Sequence, residues 1–318
     1  MLLLVTNRRD ITTDYIVLEL KKRGEKYYRL NTELLPEAEC ILSYLNYNDW
    51  SILLNNKLLI GGTVKGAYFR RPGKPIIPNC VVDAGARKYI EDEWGGFLKS
   101  LYMRLEGLWL NSPTNIVLAE DKPRQLLLAN KIGFLLPETI ITNDILQAKK
   151  LGLGNIIVKP LRQPLLSGSG KDERVIFTSR VPKLSFTDRE SFSLAPVIVQ
   201  HEISKKYDVR VTVVGNKVFP VAIWSQDNPN TEVDWRVGSR TDLKHEIINL
   251  PSEINQKCVE LVSLLGLKYG AIDLICDKNN NFWFLEINPN GQWAWIENQT
   301  GLPIASAIVD ELLNISLH

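Results

Sequence analysis

Apolar and polar residues along this chain follow two different periods, which predicts a mixture of helices and strands. The apolar run Leu2–Thr6 is typical of a buried strand, and a helical pattern follows it and stops at Gly24. We expect Thr12 or Thr13 to cap this helix. The next apolar run, over residues 27–30, predicts a second strand. A strand–helix–strand order of this kind predicts a parallel sheet with a right-handed crossover.

The remaining periodic segments predict helices and sheets throughout, which is typical of the α/β (α+β) class. Strands are predicted over 41–45, 51–54, 57–60, 67–70, 134–137, 139–142, 155–160, 174–179, 196–203, 208–214 and 217–224. Helices are predicted over about 83–106, 119–132, 145–151, 254–265 and 299–313. Ser112 and Pro113 mark a boundary, so we expect domains at 1–112, 113–195 and 196–318.

The most informative stretch is residues 270–291, which is typical of two short strands around a polar turn. Asp273 and Glu286 lie inside apolar runs, and Asn288 shares a strand face with Glu286. If the hairpin closes symmetrically about Asn279 and Asn280, Asp273 lies opposite Glu286. Three oxygen ligands then meet at one strand end, which suits Mg²⁺. The alternative is a hairpin with solvated acids.

Composition narrows the class of protein. Of the 318 residues, 45% are hydrophobic and 23% are charged, as in ordinary soluble proteins, and the net charge of +2 does not favour nucleic acid as a partner. The four cysteines are widely spaced and form no pattern typical of zinc. The first apolar run is too short for a signal peptide, and no segment approaches the length of a membrane span. We therefore expect a cytoplasmic enzyme or binding protein.

Several polar residues stand where predicted strands end. Lys159 follows three β-branched residues, and it either extends out of a core or faces an anion. Arg70 and Arg71 close another predicted strand and either grip a carboxylate or phosphate or form a solvated edge. The Ser/Gly segment 167–171 lacks the spacing of a P-loop, which leaves a flexible linker or a phosphate lid as interpretations.

The order of these segments resembles the ATP-grasp superfamily of carboxylate ligases. The matching motifs are NIIVKP, VQHEI, YDVRVTVVG, GAIDL and EINPNGQW, and they cover roughly residues 115–318. Within the superfamily, YDVRVTVVG, VDWRVG and FLEINPNGQWAWIENQTGLPIA look like the graspetide synthetases, which are microviridin-type peptide macrocyclases. YFRRPG looks like the pre-ATP-grasp domain of those enzymes. The resemblance implies an ATP-grasp fold behind an N-terminal pre-ATP-grasp α/β domain, with ATP and Mg²⁺ as cofactors.

The resemblance also implies roles for individual residues. Those assigned to the nucleotide are the phosphate lysines Lys131 and Lys159, the adenine-reading hinge at Gln200, Glu202 and Ile203, and Asp208 on the ribose and substrate side. Those assigned to Mg²⁺ are Asp273, Glu286 and Asn288. Arg210 matches the arginine that faces the γ-phosphate and the acyl phosphate.

Arg236 lies beside Trp235 in a polar loop and lacks an evident role in a core. A planar guanidinium can hold a carboxylate through two hydrogen bonds, so we expect Arg236 to select an Asp or Glu side chain of the substrate. The alternative is a solvated loop arginine.

The function that the resemblance implies is ATP-dependent ring closure in a ribosomally made precursor peptide. The enzyme would activate Asp or Glu side chains as acyl phosphates and join them to Thr or Ser as esters, or to Lys as amides. Two alternatives stay open: a ligase that adds an amino acid to a small molecule or protein tail, and a nucleotide-binding module without chemistry. The filled metal and phosphate positions argue against the module. The expected partner is a peptide with a leader and a core, with no nucleic acid or membrane; a homodimer is left open.

Overall fold

The computed structural model describes residues 1–151, 155–162, 165–166, 174–176, 178–181, 184–227, 231–235 and 243–315. Arg236 and the Ser/Gly segment 167–171 therefore lie outside the described residues. The strands are β1 (Leu2–Thr6), β2 (Tyr27–Asn31), β3 (Glu39–Leu42), β4 (Trp50–Leu54), β5 (Lys57–Ile60), β6 (Gly66–Phe69), β7 (Thr139–Thr142), β8 (Ile156–Pro160), β9 (Leu165–Leu166), β10 (Arg174–Val175), β11 (Ser179–Val181), β12 (Val197–His201), β13 (Lys205–Val214), β14 (Lys217–Ile223), β15 (His245–Ile247), β16 (Tyr269–Asp277) and β17 (Phe282–Asn288). The α-helices are α1 (Ile11–Arg23), α2 (Ala84–Arg104), α3 (Pro113–Ala119), α4 (Lys122–Lys131), α5 (Ile145–Ala148), α6 (Arg189–Ser193), α7 (Ser252–Leu264), α8 (Ala294–Thr300) and α9 (Ile304–Ile315).

The N-terminal segment contains a parallel sheet in the order β2-β1-β6 and an antiparallel sheet in the order β3-β4-β5. The predicted strand–helix–strand unit is confirmed, with α1 between the parallel strands β1 and β2. The helix ends as predicted at Gly24, which has a φ of 71°. The predicted cap is wrong: Asp10 caps α1, because its carboxylate accepts hydrogen bonds from the backbone N–H groups of Thr12 and Thr13.

The middle of the chain forms an antiparallel sheet in the order β11-β8-β12-β7. The helix predicted over 119–132 is confirmed as α4, but its predicted start is wrong, because α3 ends at Ala119 and residues 120–121 separate it from α4. Asp121 begins α4 by accepting a hydrogen bond from the N–H of Arg124, and Pro123 follows at the start of the helix. This break places Lys122 at the first position of α4 and Lys131 at the last.

The C-terminal part is built on an antiparallel sheet in the order β15-β14-β13-β16-β17. Its central strands β13 and β16 are almost entirely buried. The predicted alternation along β13 is confirmed on one face, where Val209, Val211 and Val213 pack in a core that includes residues of α7. Because both faces of the sheet are covered, the polar residues of β13 and β16 lie in a low-dielectric environment.

The hairpin of β16 and β17 closes differently from the prediction but reaches the same pairing. Near the turn Leu274 lies opposite Phe284, so the hairpin is centred on Asn279 and not on the pair of asparagines. The register of β16 and β17 then shifts between Leu274 and Asp273, which brings Glu286 opposite Asp273. The pairing of the two acids is confirmed, although it depends on a bulge that the symmetric closure did not include.

The end of the chain is also different from the prediction. The single helix predicted over 299–313 is wrong, because Gly301 adopts a φ of 72° and separates α8 from α9. Residues of α9 pack in one core with residues of β1 and α1, so the first and last parts of the chain share a hydrophobic core. The division at 112 and 195 stays a prediction. Within the described part of the chain, no helix is both long and apolar enough to cross a membrane.

Candidate active site

A cavity lies between the sheet that contains β8 and β12 and the sheet that contains β13, β16 and β17. It is lined by most of the residues that sequence analysis assigned to a nucleotide and metal site, namely Lys159, Gln200, Glu202, Ile203, Asp208, Asp273 and Glu286. These residues come from five strands and the loop after β12. The structure thus brings together side chains that are more than 100 residues apart in the chain.

The hinge at the end of β12 is held by side-chain contacts. Gln200 is fully buried and donates a hydrogen bond from Nε2 to Oγ1 of Thr139, at 2.7 Å. Its Oε1 is buried and has no hydrogen-bond partner among the described residues. Both carboxylate oxygens of Glu202 accept hydrogen bonds from Arg180 on β11. An unpaired buried acceptor at a cavity wall is where a ligand donor would be favourable.

The lysines at the two ends of α4 have different environments. Lys131 is exposed and does not line the cavity. Lys122 does line it, with Nζ 3.1 Å from Oε2 of Glu286 and 3.3 Å from the carbonyl oxygen of Pro160. Because α4 has 10 residues, its ends lie about 14 Å apart, at 1.5 Å per residue. Sequence reasoning therefore missed Lys122; its position directly after the capping Asp121 was the available signal.

Each carboxylate of the β16–β17 pair is matched by a cation. Arg210 donates from Nη1 to Oδ1 of Asp273 at 2.9 Å, and both side chains are buried. Glu286 pairs with Lys122 on the opposite side of the hairpin end. Asn288 lies at the end of β17, is exposed, and accepts a hydrogen bond on Oδ1 from the N–H of Asn290, at 2.9 Å. Asn288 is the one predicted metal ligand that does not line the cavity.

Asp208 belongs to a buried polar network on β13. Its carboxylate accepts hydrogen bonds from Nζ of Lys205, at 2.7 and 3.0 Å, and from the hydroxyl of Ser225. Burial raises the pKa of Asp208, and the ammonium group of Lys205 opposes this shift. The network fixes the carboxylate in one orientation at the cavity wall.

A family model described as the RimK-like ATP-grasp domain matches residues 119–312, which is more than half of the chain. This chain belongs to the RimK-like ATP-grasp family. The match begins just before α4 and ends within α9, so it includes every described residue that lines the cavity. The ATP-grasp fold expected from the sequence is confirmed.

Three solved structures extend the likeness to nearly the whole chain. The macrocyclase MdnC from Microcystis aeruginosa MRC, bound with precursor peptide MdnA, is 28% identical over 99% of both chains, with a TM-score of 0.84. A RiPP-associated ATP-grasp ligase of Chryseobacterium gregarium, in complex with ADP and a leader and core peptide, is 26% identical over 98% of this chain and 96% of that one, with a TM-score of 0.88. The ATP-grasp ligase PsnB, complexed with a variant of a minimal precursor, Mg and ADP, is 21% identical over 99% and 98%, with a TM-score of 0.74, and shows the fold alone. A sequence comparison with curated proteins finds no match.

As a member of this family the protein is an ATP-grasp ligase, and the cofactors expected from the sequence, ATP and Mg²⁺, can be compared with the residues of the cavity. The residues present fit both groups. The unpaired Oε1 of Gln200 and the buried Lys159 lie on the wall of one cavity, which suits a base and its phosphates. Asp273 and Glu286 supply the hard oxygen atoms that Mg²⁺ prefers, in directly opposite positions on neighbouring strands.

Proposed function

We propose that this ligase closes rings in a ribosomally made precursor peptide. The observation that carries the proposal is the extent of the likeness to MdnC, which spans 99% of both chains and therefore includes the N-terminal segment that the family model leaves out. The bond would join an Asp or Glu side chain to a Thr or Ser hydroxyl as an ester, or to a Lys amine as an amide. Since ATP is consumed, we also propose a cytoplasmic location.

We assign the cavity to the nucleotide. Gln200, Glu202 and the backbone at Ile203 would hold the adenine, and Asp208 would lie on the ribose and substrate side. Lys159 and Lys122 would hold phosphate oxygens, because both are cations on the cavity wall. Lys131 carries the phosphate role in the sequence prediction, but its exposed position on the far end of α4 favours Lys122.

Asp273, Glu286 and Asn288 would hold Mg²⁺. When bound, the ion would neutralise negative charge on the transferred phosphoryl group. In the structure Arg210 and Lys122 form ion pairs with these two carboxylates. Once Mg²⁺ binds the carboxylates, both cations would be available to contact phosphate oxygens. Their pairs keep the buried acids compensated and correctly oriented before the ligands bind.

The reaction balances without a protein nucleophile. The peptide carboxylate attacks the γ-phosphorus, the bond to the β–γ bridging oxygen breaks, and ADP leaves. The hydroxyl or amine of a second side chain then attacks the acyl carbon, and inorganic phosphate leaves with the bonding electrons. The proton of the attacking group is lost to phosphate or solvent. Arg210 would hold the carboxylate near the γ-phosphate and stabilise the negative oxygen of the tetrahedral intermediate.

Mass spectrometry tests this proposal directly. Candidate precursors are short peptides rich in Thr, Ser, Asp and Glu, encoded beside the gene, and each ring should lower the mass by one water when enzyme, ATP and Mg²⁺ are present. Glu286→Gln removes a metal-ligand charge with little change in shape, so it should fold normally and form no rings. A gain of one amino-acid mass would indicate an amino-acid-adding ligase instead, and rings formed without ATP would contradict the proposal. Light scattering on the same samples would decide between monomer and homodimer.

A further inference from the structure

A second groove lies along the outer edge of β2, in the N-terminal segment of the chain. Its volume is about 690 Å³, and it shares no lining residue with the cavity of the candidate active site. Residues of β2 form its floor. One wall includes Val17 of α1 and Glu25, and the other includes Leu34, Leu54 and Lys57. The groove is therefore a separate feature, built by the layers on both sides of the parallel sheet.

The floor of this groove is an unpaired strand edge. Among the described strands, β2 pairs with β1 alone. The N–H of Leu2 donates to the carbonyl oxygen of Lys26 at 2.9 Å, and the bonds of a parallel ladder involve alternate residues. Tyr27 and Arg29 therefore direct their backbone N–H and C=O groups away from β1, and these groups make no hydrogen bond within the described part of the chain. Another extended chain can pair with such an edge.

Side chains on the two faces of the sheet enclose the space beside this edge. Tyr27 packs against the core that contains Ile16 of α1, whereas Tyr28 packs against the core that contains Ile52 of β4 and Leu59 of β5. The groove thus opens between α1 and the β4–β5 hairpin. An extended peptide placed there would continue the sheet, and its alternate side chains would face the two walls.

Positive charge exceeds negative charge along the groove. Lys26 and Lys57 both line it and are exposed, and neither forms a salt bridge with any residue that the structure describes. Arg29 is paired with Asp14, and Glu25 is the single acid among the lining residues. Lysines at a strand edge discourage pairing with a neutral or basic chain. An acidic chain is the partner whose charge is complementary to this edge.

We propose that this groove binds an acidic, extended stretch of the precursor peptide as an added strand of the sheet. The inference rests on the proposed function, under which the substrate is a flexible peptide rich in Thr, Ser, Asp and Glu. Its carboxylates match the two unpaired lysines, and its threonines favour the extended conformation that a sheet edge requires. Because β2 has only 5 residues, the contact would add to binding at the active site and not replace it.

The carboxyl end of the groove leads toward the candidate active site. Arg29 donates from Nη2 to the carbonyl oxygen of Asn7 at 2.8 Å, and Nδ2 of Asn7 donates to the carbonyl oxygen of Arg71 at 2.6 Å. The neighbouring Arg70 donates from Nη1 to Oδ1 of Asn290 at 3.0 Å, directly after the metal hairpin. A peptide held on β2 would therefore keep its other acidic residues at a raised effective concentration near the site of chemistry.

Binding can be measured without ATP, so that the result does not depend on ring formation. The probe is a labelled, capped peptide of alternating threonine and glutamate, and fluorescence anisotropy gives its Kd. A twin with glutamine in place of glutamate should bind much more weakly. Hydrogen exchange followed by mass spectrometry should show protection of residues 26–31 by the acidic peptide. N-methylation of alternate peptide residues should abolish binding in only one of its two registers, because only alternate N–H groups face the edge.

The variant that tests the charges is Lys26→Glu with Lys57→Glu. Both lysines are exposed, so the fold should persist, and the Kd of the acidic peptide should rise about five- to thirtyfold. The KM for the precursor should rise with little change in kcat, and the Kd for ATP should be unchanged. Lys99→Glu with Lys278→Glu is the matched control. It changes the net charge equally at exposed positions outside both the groove and the active-site cavity.

The outcomes separate this inference from the proposed function. Binding of the acidic peptide with protection of residues 26–31, but without rings in any precursor, would overturn ring closure and leave the groove as an acidic-peptide site. Equal affinity for the two peptides, equal effects of the two double variants, or no protection of residues 26–31 would overturn the groove proposal alone. Protection of this segment that grows with enzyme concentration in the absence of peptide would show that a second copy covers the edge, which would also overturn it.

Discussion

At the scale of single residues, the candidate site is organised by pairs of opposite charge. Asp273 is held by Arg210 and Glu286 by Lys122, so neither acid is left uncompensated in a largely buried region. A buried charge without a partner would be strongly destabilising, which explains why these acids and bases come from different elements that meet at one point. Under the proposed function, the same cations would turn from the acids to phosphate oxygens when the ligands bind.

Substitutions can show which of the three candidate lysines contacts the phosphates of ATP. Lys122→Ala and Lys159→Ala should each weaken ATP binding by about ten- to hundredfold, because a charged hydrogen bond contributes roughly 1.5–3 kcal/mol. Lys131→Ala removes the same charge from the exposed end of α4 and should change the Kd for ATP by no more than about twofold. Isothermal titration calorimetry measures all three. If Lys131→Ala weakened ATP binding strongly and Lys122→Ala did not, the phosphate contact would belong to Lys131, as the sequence predicted.

At the scale of elements, glycines decide where helices end and how closely strands approach. Gly301 separates α8 from α9 with a φ of 72°, and a Cβ atom there would meet nothing within 4 Å. Gly95 lies inside α2, is exposed, and also has open space around it. The two positions therefore differ only in backbone conformation, and conformation alone should decide what an added methyl group does.

The same substitution should have opposite effects at these two glycines. Gly301→Ala should lower the free energy of unfolding by about 1–2 kcal/mol, because a left-handed conformation is unfavourable for alanine. Gly95→Ala should raise it by about 0.5–1 kcal/mol, because alanine loses less backbone entropy in a helix. Urea titration followed by circular dichroism gives both values. Effects of the same sign would mean that packing, and not backbone conformation, controls one of the sites.

At the scale of the whole molecule, the two ends of the chain stabilise each other. Ile304, Ile308 and Leu312 of α9 are fully buried and belong to the core that contains Leu4 of β1 and Ile16 of α1. Arg23 at the end of α1 adds an ion pair to Asp310 of α9, at 2.7 Å. The N-terminal segment is therefore packed against the ATP-grasp part and covers one of its apolar faces.

Truncation tests this shared core. The fragment 113–318 would expose the apolar face of α9, and burial of each large aliphatic side chain contributes about 1.5–3 kcal/mol. We expect the fragment to aggregate or to unfold at a clearly lower urea concentration than the full chain, and co-expression with the fragment 1–112 should restore soluble material. An isolated 113–318 fragment with the urea midpoint of the full chain would show instead that the ATP-grasp part folds alone.

Local patterns in the sequence determined most of the elements. Strands β1, β5 and β13 and the end of α1 at Gly24 follow from periodicity and turn residues, which depend only on neighbouring positions. The opposition of Asp273 and Glu286 was predicted from the same pattern, but in the structure it also requires a β-bulge between β16 and β17. The start of the helix predicted over 119–132 and the undivided helix predicted over 299–313 were wrong, because a cap at Asp121 and a left-handed Gly301 interrupt the apolar pattern there.

Only the tertiary structure decided which charged residues meet. Lys122 and Lys131 occupy the two ends of one helix, and the pattern of that helix carries no information about which end points into the cavity. Arg70 has the same local sequence whether it is solvated or buried, and its burial results from the packing of the loop after β17, 220 residues away. Contacts of this kind depend on how distant elements pack. Because hydrophobic burial is non-directional, the local sequence does not indicate which distant element a residue will contact.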